Sequence, residues 1–575
     1  MIQRWKITSP SPYASRLARD AGLSLLEAQF LINRGIVTLS DARSFLSPKL
    51  SGLTDPTLLK DIDSAVRWII RAIETQDNIT IYGDYDADGI TATALLVNFF
   101  ADLGVPASFY IPNRFSEGYG LSAEGVTKIA QHRGGLIITV DCGTSDRDEI
   151  ALAQSLGLKV VVTDHHQVPE DFAPLCPVVN PHRPDSAFPF PHLAGVGIAF
   201  FLAVAVRAAL REKGWFKTGQ EIDLRHYLDL VALGTVADMV PLLDQNRIVV
   251  KAGLQRMDGS MSPGIQALRQ AAGMGSSPIT SDDVAFKLAP RLNASGRLAD
   301  AGIGVTALTT DQPLLASELA ERLSAMNSER QDIERTIIEQ IEAEIPSMPG
   351  LEERRTLVFS GRGWHKGVLG IVASKMAEKY YRPTLVLDVE DVWATGSGRS
   401  IPAFNIYSAL TRLQHVFKRF GGHHHAVGFT LEASQVDLLR EQLESLARET
   451  LRDHDMIPYL KIDAEISLPE LTLKAMRRLT AFHPFGPGNP EPLLFARALE
   501  VIHSRVVGDD HLKLKVREGN CVMEAIGFNL ADKALQEGET VDMVFTPEIN
   551  EWQGYERVQL KVVDLERTDR VRPTS

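Results

Sequence analysis

Three aspartates fall within five residues, at positions 84, 86 and 88, in the run Tyr82-Gly83-Asp84-Tyr85-Asp86-Ala87-Asp88-Gly89, with no lysine or arginine among them. Carboxylates this close repel one another and would have to take up protons unless a cation sat between them. Hard divalent cations prefer such oxygen donors. A single aspartate here would read as a turn or helix-capping residue. Asp84, Asp86 and Asp88 together point to a metal.

Other residues able to do chemistry recur downstream: Asp141 in Asp141-Cys142-Gly143, then Asp164-His165-His166, then Asp238 in Val236-Ala237-Asp238. Asp238 lies in an apolar run, where a carboxylate is costly to bury without a partner, so it is either paired structurally or ligated. Pro290 to Arg297 reads as a loop carrying Arg291, Asn293 and Arg297, groups that suit phosphate oxygens unless the loop is merely solvated. Further glycine-rich loops are expected at 396–400, with Ser397 and Arg399, and at 421–428, with His423. The adjacent histidines 423–425 do not predict zinc, since strand neighbours face opposite sides and no cysteine is near.

These groups must be positioned by an alternation of strands and helices. Apolar runs at Ile79–Ile81, Ala107–Ile111, Leu136–Val140 and Lys159–Val162 predict four strands separated by helix-length segments, hence a parallel sheet. Ligands bind beyond the carboxyl ends of such strands. Asp84, Asp86 and Asp88, Arg114, Asp141, and Asp164 with its two histidines each follow one of those ends, a coincidence that strengthens the metal reading.

The chain divides by pattern: a small helical extension (1–54), the parallel-sheet domain (55–310), a connector helix (311–350), a second, smaller α/β domain (351–452), a β-rich segment (456–566) and a tail (567–575). About thirty helical residues in the connector would span about 45 Å. Five or six short strands in the β-rich segment fit an OB-like barrel, with Trp552 and Tyr555 in its last turn able to stack on bases. A barrel of this kind would supply a separate track for a strand, so that ending the chain near Leu451 should spare cleavage of very short substrates.

A length of 575 residues implies several domains, and 44% hydrophobic with 23% charged residues is ordinary for a globular protein. The net charge of −13 argues against a protein that coats nucleic acid by bulk attraction. Three scattered cysteines suggest neither zinc nor a disulfide framework, and fit a cytoplasmic location. Leu193–Val206 is too short to span a bilayer, the amino terminus has no signal-peptide core, and no membrane association is expected.

The motifs Asp84-Tyr85-Asp86-Ala87-Asp88-Gly89, Asp141-Cys142-Gly143, Asp164-His165-His166 and Val236-Ala237-Asp238, in that order, resemble the four motifs of the DHH phosphoesterase superfamily. Gly421-Gly422-His423 with Ala426 and Gly428 resembles its associated substrate-binding domain. Together with Pro112-Asn113-Arg114, Arg291 to Arg297 and the barrel, they resemble its single-strand-specific 5′ to 3′ DNA exonucleases over nearly the whole chain. Tyr82 departs from other branches, which place a metal-binding histidine there.

The resemblance implies two Mn²⁺ or Mg²⁺ ions held by Asp84, Asp86, Asp88, Asp141, His165 and Asp238, with Asp141 bridging, and in-line hydrolysis to 5′ mononucleotides in DNA repair and recombination. It implies that Asp164 orients a histidine and His166 donates to the scissile phosphate. Arg114, Arg291, Asn293, Arg297, Ser397, Arg399 and His423 would hold the substrate, with His423 facing the metals. Single-stranded DNA, the single-stranded DNA-binding protein and a helicase are the implied partners of a monomer. The alternative is a nanoRNA or cyclic-dinucleotide phosphodiesterase of the same superfamily, which would lack the barrel.

Overall fold

The computed structural model describes residues 4–131, 135–217, 220–259, 262–348, 350–552 and 554–568. They fall into two compact units: residues 5–290, 304–317 and 461–575 in one, residues 291–303 and 318–460 in the other.

After a short strand at Arg4–Ile7 come three short helices: α1 (Ala14–Ala21), α2 (Leu25–Asn33) and α3 (Leu39–Leu46). Ser24 and Glu27 start α2 with a reciprocal capping box. After α4 (Ile62–Thr75) the expected strands follow: β1 (Ile79–Gly83), β2 (Ala107–Tyr110), β3 (Gly135–Val140) and β4 (Leu158–Thr163). A fifth, β5 (Val178–Val179), is only two residues long. All pair in parallel, in the order β2-β1-β3-β4-β5. The inner strands are buried on both faces, as their unbroken Ile and Val runs require.

Among the helices of this domain are α5 (Ala87–Asp102), α6 (Gly195–Glu212), α7 (Leu228–Ala237) and α8 (Asp244–Asp258). α6 takes up most of the apolar run Leu193–Val206 and buries it, and among the described residues no helix is long and apolar enough to cross a membrane.

Residues 290–297 are not a loop. A π-helical turn at Val284–Leu288 runs directly into α9 (Ala289–Leu298). Leu292, Ala294 and Ser295 are fully buried, and that apolar face outweighs the weak helix propensity of Asn293 and Gly296. Pro290 follows the π-helical turn directly, inside one continuous helical run. α10 (Pro313–Glu344) is the long helix expected, at 32 residues.

The second unit holds a five-stranded sheet of β6 (Leu357–Gly361), β7 (Thr384–Val389), β8 (Trp393–Arg399), β9 (Phe417–His423) and β10 (Ala426–Glu432), in the order β9-β10-β8-β7-β6, with α11 (Leu369–Tyr380) following β6. β8 and β9 are strands where loops were expected. The glycines that suggested loops are there for packing: a Cβ on Gly396 would fall 2.5 Å from the Phe429 ring, and one on Gly398 2.4 Å from Leu385. Ser397 and Arg399 alternate with these glycines, on the opposite face of β8.

The last segment forms β11 (Leu494–Val507), β12 (His511–Glu518), β13 (Cys521–Gly527), β14 (Thr540–Trp552) and β15 (Tyr555–Arg567). β11 pairs with both β12 and β14, which closes a five-stranded barrel. Trp552 and Tyr555 are the last paired residues of the β14–β15 ribbon instead of lying in a longer turn. Tyr555 is exposed; the Trp552 side chain and the tail 569–575 lie outside the described residues.

The amino-terminal helices and the barrel share one core. Leu17, Phe30, Leu31 and Phe45 pack with Leu468, Phe482, Leu514 and Phe545, and Phe482 meets the rings of Phe30 and Phe45 edge-on at 5.9 and 5.8 Å. Ending the chain at Leu451 would strip α1–α3 of that core, so the barrel is not the separable appendage read from sequence.

Candidate metal centre

The acidic motifs at 84–88, 141 and 164–166 sit just past the carboxyl ends of their strands, Asp238 ends helix α7, and local structure aims each of them. Asp86 caps α5, its Oδ1 accepting from the backbone N–H groups of Asp88 (2.9 Å) and Gly89 (3.1 Å). Asp88 accepts from the first turn of α6, from Gly195 N–H at 2.6 Å and Val196 N–H at 2.8 Å. Two N–H groups at a helix amino terminus favour a carboxylate. Asp141 holds a left-handed backbone (φ 63°), which asparagine and aspartate tolerate best among non-glycine residues.

The structure brings these side chains together. Ligand-capable atoms of Asp84, Asp86 and Asp141 lie within 4.8 Å of one another, as do those of Asp88, His165 and Asp238, and those of Asp141, His165 and His166. His165 Nε2 is 3.1 Å from Asp141 Oδ1 and 3.5 Å from Asp238 Oδ2. Burial, and then the charge of His166, push His165 down to about 4, so its imidazole is neutral. Asp84 Oδ1, Asp141 Oδ1, Asp238 Oδ2 and His165 Nε2 are buried atoms with no hydrogen-bond partner. Unsatisfied buried polar atoms are rare and costly. Several converging on one place fit a divalent cation, which needs unprotonated oxygen and imidazole donors.

Electrostatics agree. Burial first, then the neighbouring aspartates, raise the carboxyls of Asp84, Asp141 and Asp238 well above the usual range. Burial and the charge of Asp86 raise Asp88 to about 7, against the two N–H groups of α6. Asp164 behaves oppositely. Burial alone would raise it, yet it is held well below the ordinary value by His166, by the charge of His165 and by Thr144. Its Oδ1 accepts from the backbone of His165 (2.8 Å) and His166 (3.1 Å), and its Oδ2 from Thr144 N–H (2.9 Å). The His166 ring, 2.7 Å away at Nδ1, is raised to about 9 although burial opposes it.

Arg114 stacks over the Tyr85 ring at 5.0 Å, beside the aspartate turn. Tyr82 points elsewhere: it is buried, stacked on Tyr110, and its hydroxyl engages Gly120 and Ser122. It makes no approach to the acidic cluster in place of the histidine of other branches.

In the other unit, Arg297, Ser397 and Arg399 converge on the start of α11. Arg297 donates to Gly367 O at 3.0 Å, and a Cβ on Gly370 would lie 3.0 Å from Arg399 Nη2 and 3.1 Å from Ser397 Oγ. Two guanidinium groups and a hydroxyl at a helix amino terminus can bind a phosphate. Arg291 is turned to Ser324 Oγ at 3.1 Å, Asn293 is half-buried on α9, and His423 is exposed at the end of β9.

Sequence reasoning missed the groups that shape the centre. Tyr119 places its hydroxyl 2.9 Å from His166 Nδ1 and 3.2 Å from the Asp141 carbonyl. Asn180 ties Thr144 to the carbonyl of His166. Gly195 and Gly234 are small because other side chains occupy their space: a Cβ on Gly195 would fall 2.6 Å from the Asp141 Cβ, and one on Gly234 2.2 Å from Thr91 Oγ1 and 2.8 Å from Asp88 Oδ1. Nothing local in the sequence marks them, since the contacts join distant segments.

A parallel sheet bearing this acidic centre defines a phosphoesterase of the DHH type, and family models match accordingly: the DHH family N-terminal domain over residues 78–235, the DHHA1 domain over 354–449 and the RecJ OB domain over 462–564. The single-stranded-DNA-specific exonuclease RecJ of Dickeya dadantii is 38% identical over 541 residues, covering 90% of this chain and 93% of the relative. RecJ of Bacillus subtilis is 35% identical, covering 98% and 70%. The crystal structure of RecJ with Mn²⁺ from Thermus thermophilus superposes with a TM-score of 0.84 at 28% identity, over 98% of this chain and 80% of that one, and the same protein has been solved with Mg²⁺. This chain belongs to the RecJ family of single-stranded-DNA-specific exonucleases.

Proposed function

We infer that the chain hydrolyses single-stranded DNA from the 5′ end, releasing 5′ mononucleotides, with two divalent ions, Mn²⁺ or Mg²⁺, held by Asp84, Asp86, Asp88, Asp141, His165 and Asp238. The observation that carries this reading is the set of four buried, unpartnered donor atoms on Asp84, Asp141, Asp238 and His165. Asp141 is the bridging ligand in this reading, because it alone belongs both with Asp84 and Asp86 and with His165. The ions, when bound, supply an activated water and neutralise charge on the phosphate oxygens.

The protein's own groups do the rest. Asp164 holds His166 as a cation, and the imidazolium donates to a non-bridging oxygen of the scissile phosphate, where charge accumulates in the transition state. The Tyr119 hydroxyl meets the same nitrogen, Nδ1, at 2.9 Å and helps to fix the ring. Arg114 binds the backbone next to the metals. Arg297, Ser397 and Arg399 take the terminal 5′ phosphate at the start of α11, with His423, Arg291 and Asn293 lining the same path.

The exonuclease relatives and the barrel support a role in DNA repair and recombination. A single-stranded DNA-binding protein and a helicase that supplies unwound strand are the partners proposed for a monomeric, cytoplasmic enzyme. Three free cysteines fit that compartment. Single strands labelled at the 5′ or the 3′ end, incubated with Mn²⁺, Mg²⁺ or chelator, test the reading directly. Mononucleotide released first from the 5′ label, and only with metal, is the expected result; release first from the 3′ label, or turnover in chelator, refutes it.

A further inference from the structure

The last acid of the centre sits on a turn that a remote part of the chain holds. α7 ends at Asp238, and within six residues the chain has reversed into α8, with Met239 in a left-handed conformation (φ 58°). The Asp238 and Met239 amides still bond back into α7, to Gly234 O at 2.9 Å and Val236 O at 3.3 Å. The Leu242 amide instead donates to the carbonyl of Pro487, 2.8 Å away, in the segment that leads into the barrel.

That segment is shaped to the turn. A Cβ on Gly486 would come 2.7 Å from Leu242 Cδ1, and one on Gly488 would come 3.1 Å from Leu243 Cδ1 and 3.2 Å from Pro241 Cβ. Gly488 also has φ 75°, where a side chain is strained. The fully buried Asn489 locks the segment by donating to the carbonyls of Phe482 and Pro484, both at 2.8 Å. Arg247 of α8 binds it from below, donating to Ala481 O and His483 O at 3.0 Å each.

The turn is also gripped from its other side. Asn246 donates to Pro241 O at 3.0 Å and to His192 O at 2.6 Å. The residue after His192, Leu193, supplies the backbone group that hydrogen-bonds His165. Asp238 and His165 are thus set by one frame, and Phe485–Asn489 closes it.

We propose that the segment Phe485–Asn489 is a positioning element of the metal centre: by filling the space beside Pro241–Leu243 and accepting the Leu242 N–H, it fixes where Asp238 presents its carboxylate. The proposal rests on the reading of Asp238 as a metal ligand. A ligand on a loosened turn must be ordered each time an ion binds, so the effect falls on metal affinity, where supporting groups are commonly worth about 10–100-fold.

The test measures Mn²⁺ affinity by titration calorimetry on the full chain without DNA, well below the melting temperature, for wild type, Gly488→Ala, Asn489→Ala, Asp238→Asn and Leu514→Ala. Leu514 lies in the barrel core, fully buried, and serves as a destabilised control. Gly488→Ala and Asn489→Ala should bind Mn²⁺ about tenfold or more weakly, with the hydrolysis rate recovering at saturating Mn²⁺, while Leu514→Ala keeps wild-type affinity. Asn489→Ala carries the test if the strained Gly488→Ala does not fold. Wild-type affinity in the two segment variants beside weakened binding in Asp238→Asn overturns this inference alone. Equal weakening in Leu514→Ala also overturns it, by making the effect one of general stability. Wild-type affinity in Asp238→Asn removes the ligand reading beneath it.

Discussion

Asp164 Oδ1 lies 2.7 Å from His166 Nδ1, and this contact decides the charge of the imidazole. Burial would discharge His166, yet it is raised to about 9 by the hydrogen bond and charge of Asp164. A raised histidine contributes stability that is complete below its unfolded pKa of 6.5 and is lost as pH rises through about 9. Asp164, depressed, contributes stability that is present above its unfolded value and lost as pH falls through the folded one.

Replacing Asp164 with asparagine keeps the shape and removes the charge. The maximal rate should fall by roughly 10²-fold or more, and the alkaline fall in activity should move to lower pH, because the proton on His166 is held less tightly. A rate profile over pH 6 to 10 for wild type and variant checks this. Superimposable alkaline limbs would show that His166 does not act as a cation.

Metal should matter more for stability as pH rises. Without ions, folded Asp88 keeps its proton up to about 7, and Asp84, Asp141 and Asp238 are raised too, so the folded state binds more protons than the unfolded one above about pH 4. The metal-free protein therefore loses stability through that window, and ions, which need the carboxylates bare, restore it. The rise in Tm on adding Mn²⁺ should be several degrees larger at pH 8 than at pH 5.5, as read by calorimetry with chelator as the blank.

Asp141→Asn separates function from stability. Asparagine accepts the left-handed backbone that alanine would strain, and it removes one of the mutually repelling carboxyls. Hydrolysis should become undetectable while the metal-free protein melts at a higher temperature than wild type at pH 8. Near-normal turnover in saturating Mn²⁺ would refute the bridging role.

Tyr555, exposed at the tip of the β14–β15 ribbon, is a candidate stacking residue. Tyr555→Ala should weaken binding of long single strands by about 1–3 kcal/mol while cleavage of trinucleotides stays unchanged. The loss should persist at high salt, since stacking, unlike phosphate contact, releases no counterions. Unaltered affinity for a long strand would take the ribbon off the DNA path.

The acids were legible in sequence because they cluster locally and each follows a strand, so that sheet topology alone brings Asp84, Asp141 and Asp164 to one edge. Asp238 was half legible: its cost of burial demanded a partner without naming one. Gly195, Tyr119 and Asn180 were not legible, because their importance lies in which distant segment they touch. β8 and the helix at 289–298 were misread for a related reason. Glycine, asparagine and serine mark loops when nothing else fixes the backbone, and here Phe429, Leu385 and the buried face of Leu292 and Ala294 do.

The shared core of α1–α3 with the barrel has a consequence for how the chain is made. Phe30 and Phe45 leave the ribosome early, yet Leu468, Phe482 and Phe545, which cover them, follow more than 400 residues later. At about 5–20 residues per second, that separation is roughly 20–85 s of synthesis. Through that interval the first helices have one another and, once α8 is made, Arg247 stacked on the Phe45 ring at 3.7 Å, but the larger part of their core is completed only when the last strands emerge.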